Sequence, residues 1–134
     1  MPAAATRPVH EGLFTADHLI GGHCRGCSKY HFPADAICPY CGGSEVTRVE
    51  LSDTGTLWGW TAVTAPPPGY QGDVPFGFGV IELPEGIRVI SRVEEPDPAR
   101  LTFGMPVRFA TAPLHTDDDG TTVLTYTFVP EGAP

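Results

Sequence analysis

Along most of this chain apolar and polar positions alternate with a period of two, which is the pattern of half-buried strands. Val46 to Leu51 sets Val46, Arg48 and Glu50 against Thr47, Val49 and Leu51, a strand with one wet face. After the turn Asp53-Thr54-Gly55 comes a long strand, Thr56 to Thr64, rich in aromatic and β-branched residues. Gly59 lies between its two tryptophans, and a glycine inside a strand marks a bulge or a tight coil. Four more strands follow at Phe76 to Leu83, Ile87 to Val93, Val107 to Ala110 and Thr121 to Val129. They are separated by Pro84-Glu85-Gly86, a polar connector from Glu94 to Arg100 and a hairpin loop from Leu114 to Gly120. Near the start, Gly21-Gly22 disfavours a helix, so Leu19 to His23 reads as extended.

Five strands of this length with an internal glycine in the first predict a small closed barrel of the oligonucleotide/oligosaccharide-binding type, the OB-fold. Closure hides the strand edges, and inward side chains fill the interior. The expected core is Leu57, Val80, Leu83, Val89, Val107, Phe109, Val123 and Leu124. Because a bulge shifts the inward set, the pattern does not place Trp58 and Trp60. The expected organisation is a flexible N-terminal arm over 1–13, a ribbon with its lead-in over 14–51, the barrel over 52–130 and a tail over 131–134.

The four cysteines change the picture of the first fifty residues. They form two Cys-x-x-Cys pairs, Cys24/Cys27 and Cys38/Cys41, separated by ten residues. Two short knuckles facing each other across a hairpin supply the four thiolates that a soft dication takes in a tetrahedron. Gly26, Gly42 and Gly43 permit the tight bends. Two disulfides are the alternative, disfavoured in a chain without an export signal. A redox pair would need one motif at a helix start. The expectation is a rubredoxin-like four-cysteine ribbon with one structural Zn2+, with iron as the minority alternative. All ligands would come from protein, leaving no open position for chemistry. His23 and His31 flank the first knuckle and are read as imidazoles outside the coordination sphere.

Length and charge bound the rest. A chain of 134 residues is one domain, or one with a small appendage, and its 16 glycines and 15 prolines favour turns and short strands. No run is long enough to cross a membrane, and no secretory signal opens the chain, so a cytoplasmic location is expected. The formal net charge of −8, with one lysine, opposes binding to a phosphate backbone. No serine sits in a nucleophile elbow, no cysteine is left to attack, and no histidine has a spaced carboxylate partner, so no catalytic residue is assigned.

Three features invite a contact role. The loop from Ala65 to Pro75 is eleven residues long and carries Tyr70, either a rigid aromatic anchor for a partner or part of a stiff connection. Arg88 and Arg92 share one face of a strand and could meet the phosphates of a coenzyme A, or simply face solvent. Asp117-Asp118-Asp119-Gly120 lacks the alternate spacing of a calcium loop and reads as a solvated hairpin tip.

In order, Cys24-x-x-Cys27, Phe32-Pro33, Cys38-Pro39-x-Cys41-Gly42, Gly55, Pro67 to Tyr70, Glu82 to Gly86 and Gly104-Met105-x-Val107 resemble the zinc-ribbon plus OB-fold family long catalogued as a domain of unknown function. The match runs in register from about residue 14 to 129, and departs at Ser28, where members commonly have glycine. The resemblance implies a non-catalytic accessory subunit that docks through ribbon and barrel on an acyl-CoA enzyme. Its implied partners are thiolases, thiolase-like aldolases or acyltransferases and MaoC-type enoyl-CoA hydratases, in lipid, steroid or aromatic-acid metabolism. It also implies help in shaping the acyl-CoA site. A single-stranded nucleic-acid binder is the alternative that the barrel alone suggests, and the charge weighs against it.

Overall fold

The computed structural model describes residues 5–70 and 74–131. Its strands are β1 (Thr6–Pro8), β2 (Ile20–Cys24), β3 (Tyr30–His31), β4 (Val46–Glu50), β5 (Thr54–Val63), β6 (Phe76–Glu82), β7 (Arg88–Val93), β8 (Pro106–Thr116) and β9 (Thr122–Pro130). One 3-10 turn, Pro98–Arg100, precedes β8, and no α-helix occurs among the described residues. β2 is the centre of a three-stranded ribbon sheet in the order β3-β2-β4. The larger sheet runs β1-β9-β7-β6-β5-β8 and closes through β8–β9 pairing, so that β5 to β9 form a five-stranded barrel.

A bulge makes the closure possible. The β5–β6 register shifts between Leu57 and Gly59, which leaves Trp58 as the extra residue. The strand curls there, pairing along β6 while its first three residues reach β8. Glycines sit where neighbouring backbone comes closest. A Cβ on Gly79 would lie 2.6 Å from the Gly59 carbonyl, and one on Gly55 would lie 2.7 Å from that of Glu82.

The inward set differs from expectation at two places. Gly77 and Gly79 face inward on β6, so parity puts Ile81 in the core and turns Val80 outward. On β9, Val123 is fully buried but lies outside the core cluster, on the face opposite to Phe128, and Leu124 is only half-buried. Leu57, Leu83, Val89, Val107 and Phe109 are buried as expected. Val93, Leu101 and Phe128 join them.

Two local expectations also change. Thr6–Pro8, read from composition as part of a flexible arm, forms β1 and pairs in parallel with Thr122–Leu124. Its order comes from a tertiary partner that composition does not reveal, the free side of β9. β8 runs on to Thr116, well beyond Ala110, with a second register shift between Pro113 and His115 that accommodates a proline within a strand. The stretch from Phe14 is a small hairpin bridged at Phe14 and Leu19, and it leads into β2. Of the eleven-residue loop, residues 71–73 lie outside the described part.

Ribbon and barrel share one core. Leu19 and Leu51 belong to the same buried cluster as Leu57, Phe109 and Phe128. Phe14 lies 6.5 Å from Phe109 and 6.0 Å from Tyr126, ring centre to ring centre, and Phe32 lies 5.7 Å from Tyr126. A polar contact adds to this: Glu85, in the β6–β7 turn, accepts from the Ser52 backbone N–H at 2.7 Å and from its hydroxyl at 3.1 Å. Of the apolar residues between the knuckles, Tyr30 and Phe32 pack on the shared core, whereas Ile37 is exposed.

Candidate functional site

The ribbon brings all four cysteines together. The first knuckle follows β2 directly, closed by Ser28 N–H donating to the Cys24 carbonyl at 2.8 Å. The second repeats the turn, with Gly42 N–H donating to the Cys38 carbonyl at 2.9 Å. Each closing residue stands four after the first cysteine of its pair and takes positive φ, 66° at Ser28 and 75° at Gly42. Glycine adopts that conformation without cost, but serine is held there against its preference. The departure at Ser28 is therefore a small local strain in an otherwise equivalent knuckle.

The Sγ atoms of Cys24 and Cys41 are 3.6 Å apart, those of Cys27 and Cys38 are 3.7 Å apart, and all four lie within 4.8 Å of one another. A tetrahedron of thiolates around zinc has S–S edges of about 3.8 Å, from Zn–S bonds of about 2.3 Å. The donor set fits in kind, number and spacing. Tyr40 N–H points at the Cys38 sulfur and Gly43 N–H at the Cys41 sulfur, each at 3.4 Å. Such N–H groups favour thiolate over thiol.

The two thiols of the second knuckle respond differently to their surroundings. At Cys38 burial pushes the pKa up, but the N–H groups of Cys41 and Tyr40, with the Cys27 and Cys41 side chains, outweigh it and bring it from the ordinary 9.0 down to about 7. At Cys41 the Gly43 N–H pulls down, but contact with Cys24, burial and the remaining two sulfurs prevail and raise it to about 11. A bound cation would draw the remaining protons off the thiols. His23 packs its ring on Tyr30 at 4.4 Å, while His31 is buried and accepts from the Asp35 N–H at 3.3 Å. Among the described residues, the cysteines are the one cluster of such side chains whose donor atoms converge.

A second feature lies on the outside of the barrel. The register sets Phe78 opposite Arg92, Val80 opposite Ile90 and Glu82 opposite Arg88. With bulged Trp58 they form an apolar band across β5, β6 and β7. Trp58 is 44% exposed, Phe78 38% and Ile90 57%. Arg88 stacks on Trp58 at 4.2 Å and pairs with Glu82 at 3.1 Å. Arg92 pairs with Glu94 at 3.0 Å, and its guanidinium lies 5.5 Å from the Phe76 ring centre. Tyr70 stacks on Phe76, ring centres 5.0 Å apart and planes 9° apart, and its hydroxyl is 3.4 Å from an Arg92 nitrogen.

Tyr70 and Arg92 thus meet beside a cleft of about 260 Å³ that Phe78, Ile90 and Tyr126 also line. Arg88 stands at the other end of the band. Trp58, Phe76, Phe78 and Ile90 escaped the sequence reading. The signal was present in β6, where Phe76, Phe78 and Val80 share the parity opposite to Gly77 and Gly79. Two glycines on one face and three large apolar residues on the other mean that the glycine face packs and the apolar face looks out. At the hairpin tip Asp119 accepts from Thr121 N–H at 3.0 Å, and that bond holds its carboxyl below the usual range. This is the arrangement of a self-satisfied turn.

Residues 16–47 match the family profile described as "ChsH2, rubredoxin-like zinc ribbon domain", and residues 48–112 match "ChsH2, C-terminal OB-fold domain". The chain is similar to a DUF35 domain-containing scaffold protein of Pyrococcus furiosus, with 32% identity over 113 residues, 84% of this chain and 82% of that one. It is also similar to the benzoylsuccinyl-CoA thiolase subunit BbsA of Thauera aromatica, with 29% identity over 113 residues, 84% of this chain and 76% of the relative. A solved chain described as "Ltp2-ChsH2(DUF35) aldolase" has the same fold, with a TM-score of 0.66, 23% identity, and coverage of 92% of this chain and 98% of that one.

Proposed function

This chain belongs to the DUF35 family of zinc-ribbon plus OB-fold proteins, and on that premise we propose that it is a non-catalytic subunit of an acyl-CoA-processing enzyme complex, with a thiolase or a thiolase-like aldolase as its partner. The observation that carries the reading is the outward apolar band in which Trp58, Phe78 and Ile90 are exposed around half-buried Val80, on a chain this small. Contiguous apolar surface on a soluble domain, rimmed by charged side chains, is the mark of a contact with another protein. The thiolase-subunit relative, matched over most of its length, supports the class of partner.

In this reading Cys24, Cys27, Cys38 and Cys41 hold one zinc ion. With four protein ligands the ion would contribute folding free energy and leave no site for substrate or water. Trp58 and Tyr70 are the rigid aromatic anchors of the docking face. Arg88 and Arg92, each already steered by a carboxylate and an aromatic ring, frame that face and offer forked donors to a carboxylate of the partner or to a phosphate of bound acyl-CoA.

The test is affinity capture from the native host with wild type and with Ile90→Glu, which places a charge in the centre of the band on an already exposed residue. Wild type should retain a thiolase- or aldolase-type subunit, identified by mass spectrometry. Ile90→Glu should lose it while keeping wild-type circular dichroism and metal content. Equal capture by both would refute the docking face, and capture of nucleic acid alone would refute the function.

A further inference from the structure

We infer that Tyr126 is a clamp through which the ribbon holds the barrel's seam closed, so that the packing of the ribbon sets the cleft beside Tyr70 and Arg92. The seam is the join between β7 and β9. It is short: Arg92 pairs with Thr127 and Val93 with Phe128, and there the ladder ends. Further along β9, Thr122–Leu124 pair with β1 instead. Between these two pairings lie Thr125 and Tyr126 of β9, with Ile90 and Ser91 of β7 across the gap, and these four residues line the 260 Å³ cleft.

What spans the gap is a side chain. The Tyr126 hydroxyl donates to the Ile90 carbonyl at 3.1 Å. The ring that carries the hydroxyl is gripped from the other side. Phe14 meets it edge-on at 6.0 Å, and Phe32 meets it at 5.7 Å with planes 85° apart. Both phenylalanines come from the ribbon and its lead-in. Phe32 follows directly on β3, whose two residues pair with Gly22 and His23, immediately before Cys24. A ribbon whose knuckles have come apart holds β3 only through its two-residue pairing with β2 and its packing on the barrel, and loses the anchor at Cys24 that fixes that pairing. Phe32 then no longer braces the ring, and the hydroxyl loses its aim at Ile90. Tyr126 is thus a positioning residue. It takes a packing state from the ribbon and delivers it as a hydrogen bond across the barrel wall.

In its metal-removal arm this inference rests on the reading that the four cysteines hold an ion. The experiment is amide hydrogen exchange by mass spectrometry on the full chain, following peptides over residues 87–92 and over the ribbon. Tyr126→Phe keeps the ring and removes only the hydroxyl. It should speed exchange over 87–92 about fivefold, the worth of one net hydrogen bond, with ribbon exchange and metal content unchanged. Chelating the metal from wild type should speed exchange over 87–92 as well as in the ribbon. In Tyr126→Phe the same chelation should add little over 87–92, because the link is already cut. An unchanged 87–92 peptide in Tyr126→Phe overturns the inference. So does chelation that loosens the ribbon and accelerates 87–92 equally in both proteins. If the protein as isolated carries no metal, the zinc reading fails by itself, and the Tyr126→Phe comparison still decides the clamp.

Discussion

Ribbon and barrel are built from the same strand-forming vocabulary, yet they are held together by different means. The barrel buries Leu57, Ile81, Val89, Val93, Val107, Phe109 and Phe128 against one another, and its strands pair in closed succession. The ribbon has a two-residue pairing on one side of β2 and a five-residue pairing on the other. Its fully buried residues are few, and two of them are Cys24 and Cys38. Of its apolar residues, Phe14, Leu19, Tyr30, Phe32 and Leu51 pack into the barrel's core rather than into one of its own. A unit of this size cannot bury enough surface to fold alone and needs a ligand or a neighbour. This ribbon has a place for both: four converging sulfurs at one end and an aromatic socket at the other.

Substitutions should separate the two regions. The largest effect should come from Cys38→Ser. Losing a structural metal forfeits an apparent binding free energy on the order of 10 kcal/mol. Elemental analysis should find the variant metal-free, and ribbon amides between residues 22 and 51 should lose exchange protection while β5, β6 and β8 keep most of theirs. Phe128→Ala attacks the other side. Phe128 is fully buried and packs edge-on against Phe109 at 6.1 Å. Its truncation should cost about 3–5 kcal/mol and lower the melting temperature of both regions together, as read by circular dichroism. Ribbon loss without barrel loss in the first case, and joint loss in the second, is the asymmetry expected of a dependent unit on an independent one.

A smaller effect follows from the thiols. Cys38, brought from 9.0 down to about 7, favours the fold of the metal-free protein above its unfolded value, and that contribution fades as pH falls through 7. Protonated thiol does not bind. Zinc uptake by the metal-free protein should therefore be weaker at about pH 6 than at about pH 8, with protons released on binding, which calorimetry in two buffers would register. Cys41, raised to about 11, gives up its proton only to the ion or to strong alkali.

The smallest effect belongs to the strained knuckle. Ser28→Gly should relieve roughly 1 kcal/mol at the positive-φ position, raising the temperature at which metal is lost without altering the barrel. A fall in that temperature would mean that the serine is doing something the backbone geometry does not show.

Much of this was readable from the chain because the signals were local. The knuckles follow from cysteine spacing, and the barrel's strands follow from alternation and from glycine and proline punctuation. The bulge was foreshadowed by Gly59, although the residue it displaces is Trp58. What the chain hid depended on partners far away in sequence. β1 is a strand only because β9 has a free side there, and the run from Leu114 to Thr116 is strand rather than loop because β9 pairs along it. Ile81 takes the inward place expected of Val80 because the face of β6 that packs is the one carrying Gly77 and Gly79. The Tyr70–Phe76–Arg92 cluster could not be assembled from sequence, since its members come from a loop and two strands whose register is a property of the closed sheet.

If this chain works as a bound subunit of an acyl-CoA enzyme, native mass spectrometry of the protein isolated from its own cells under reducing conditions will show it. The expected spectrum is one species at fixed stoichiometry, containing this chain, one zinc per copy and a thiolase- or aldolase-type subunit. A lone metal-free chain, or a chain accompanied only by nucleic acid, would contradict it.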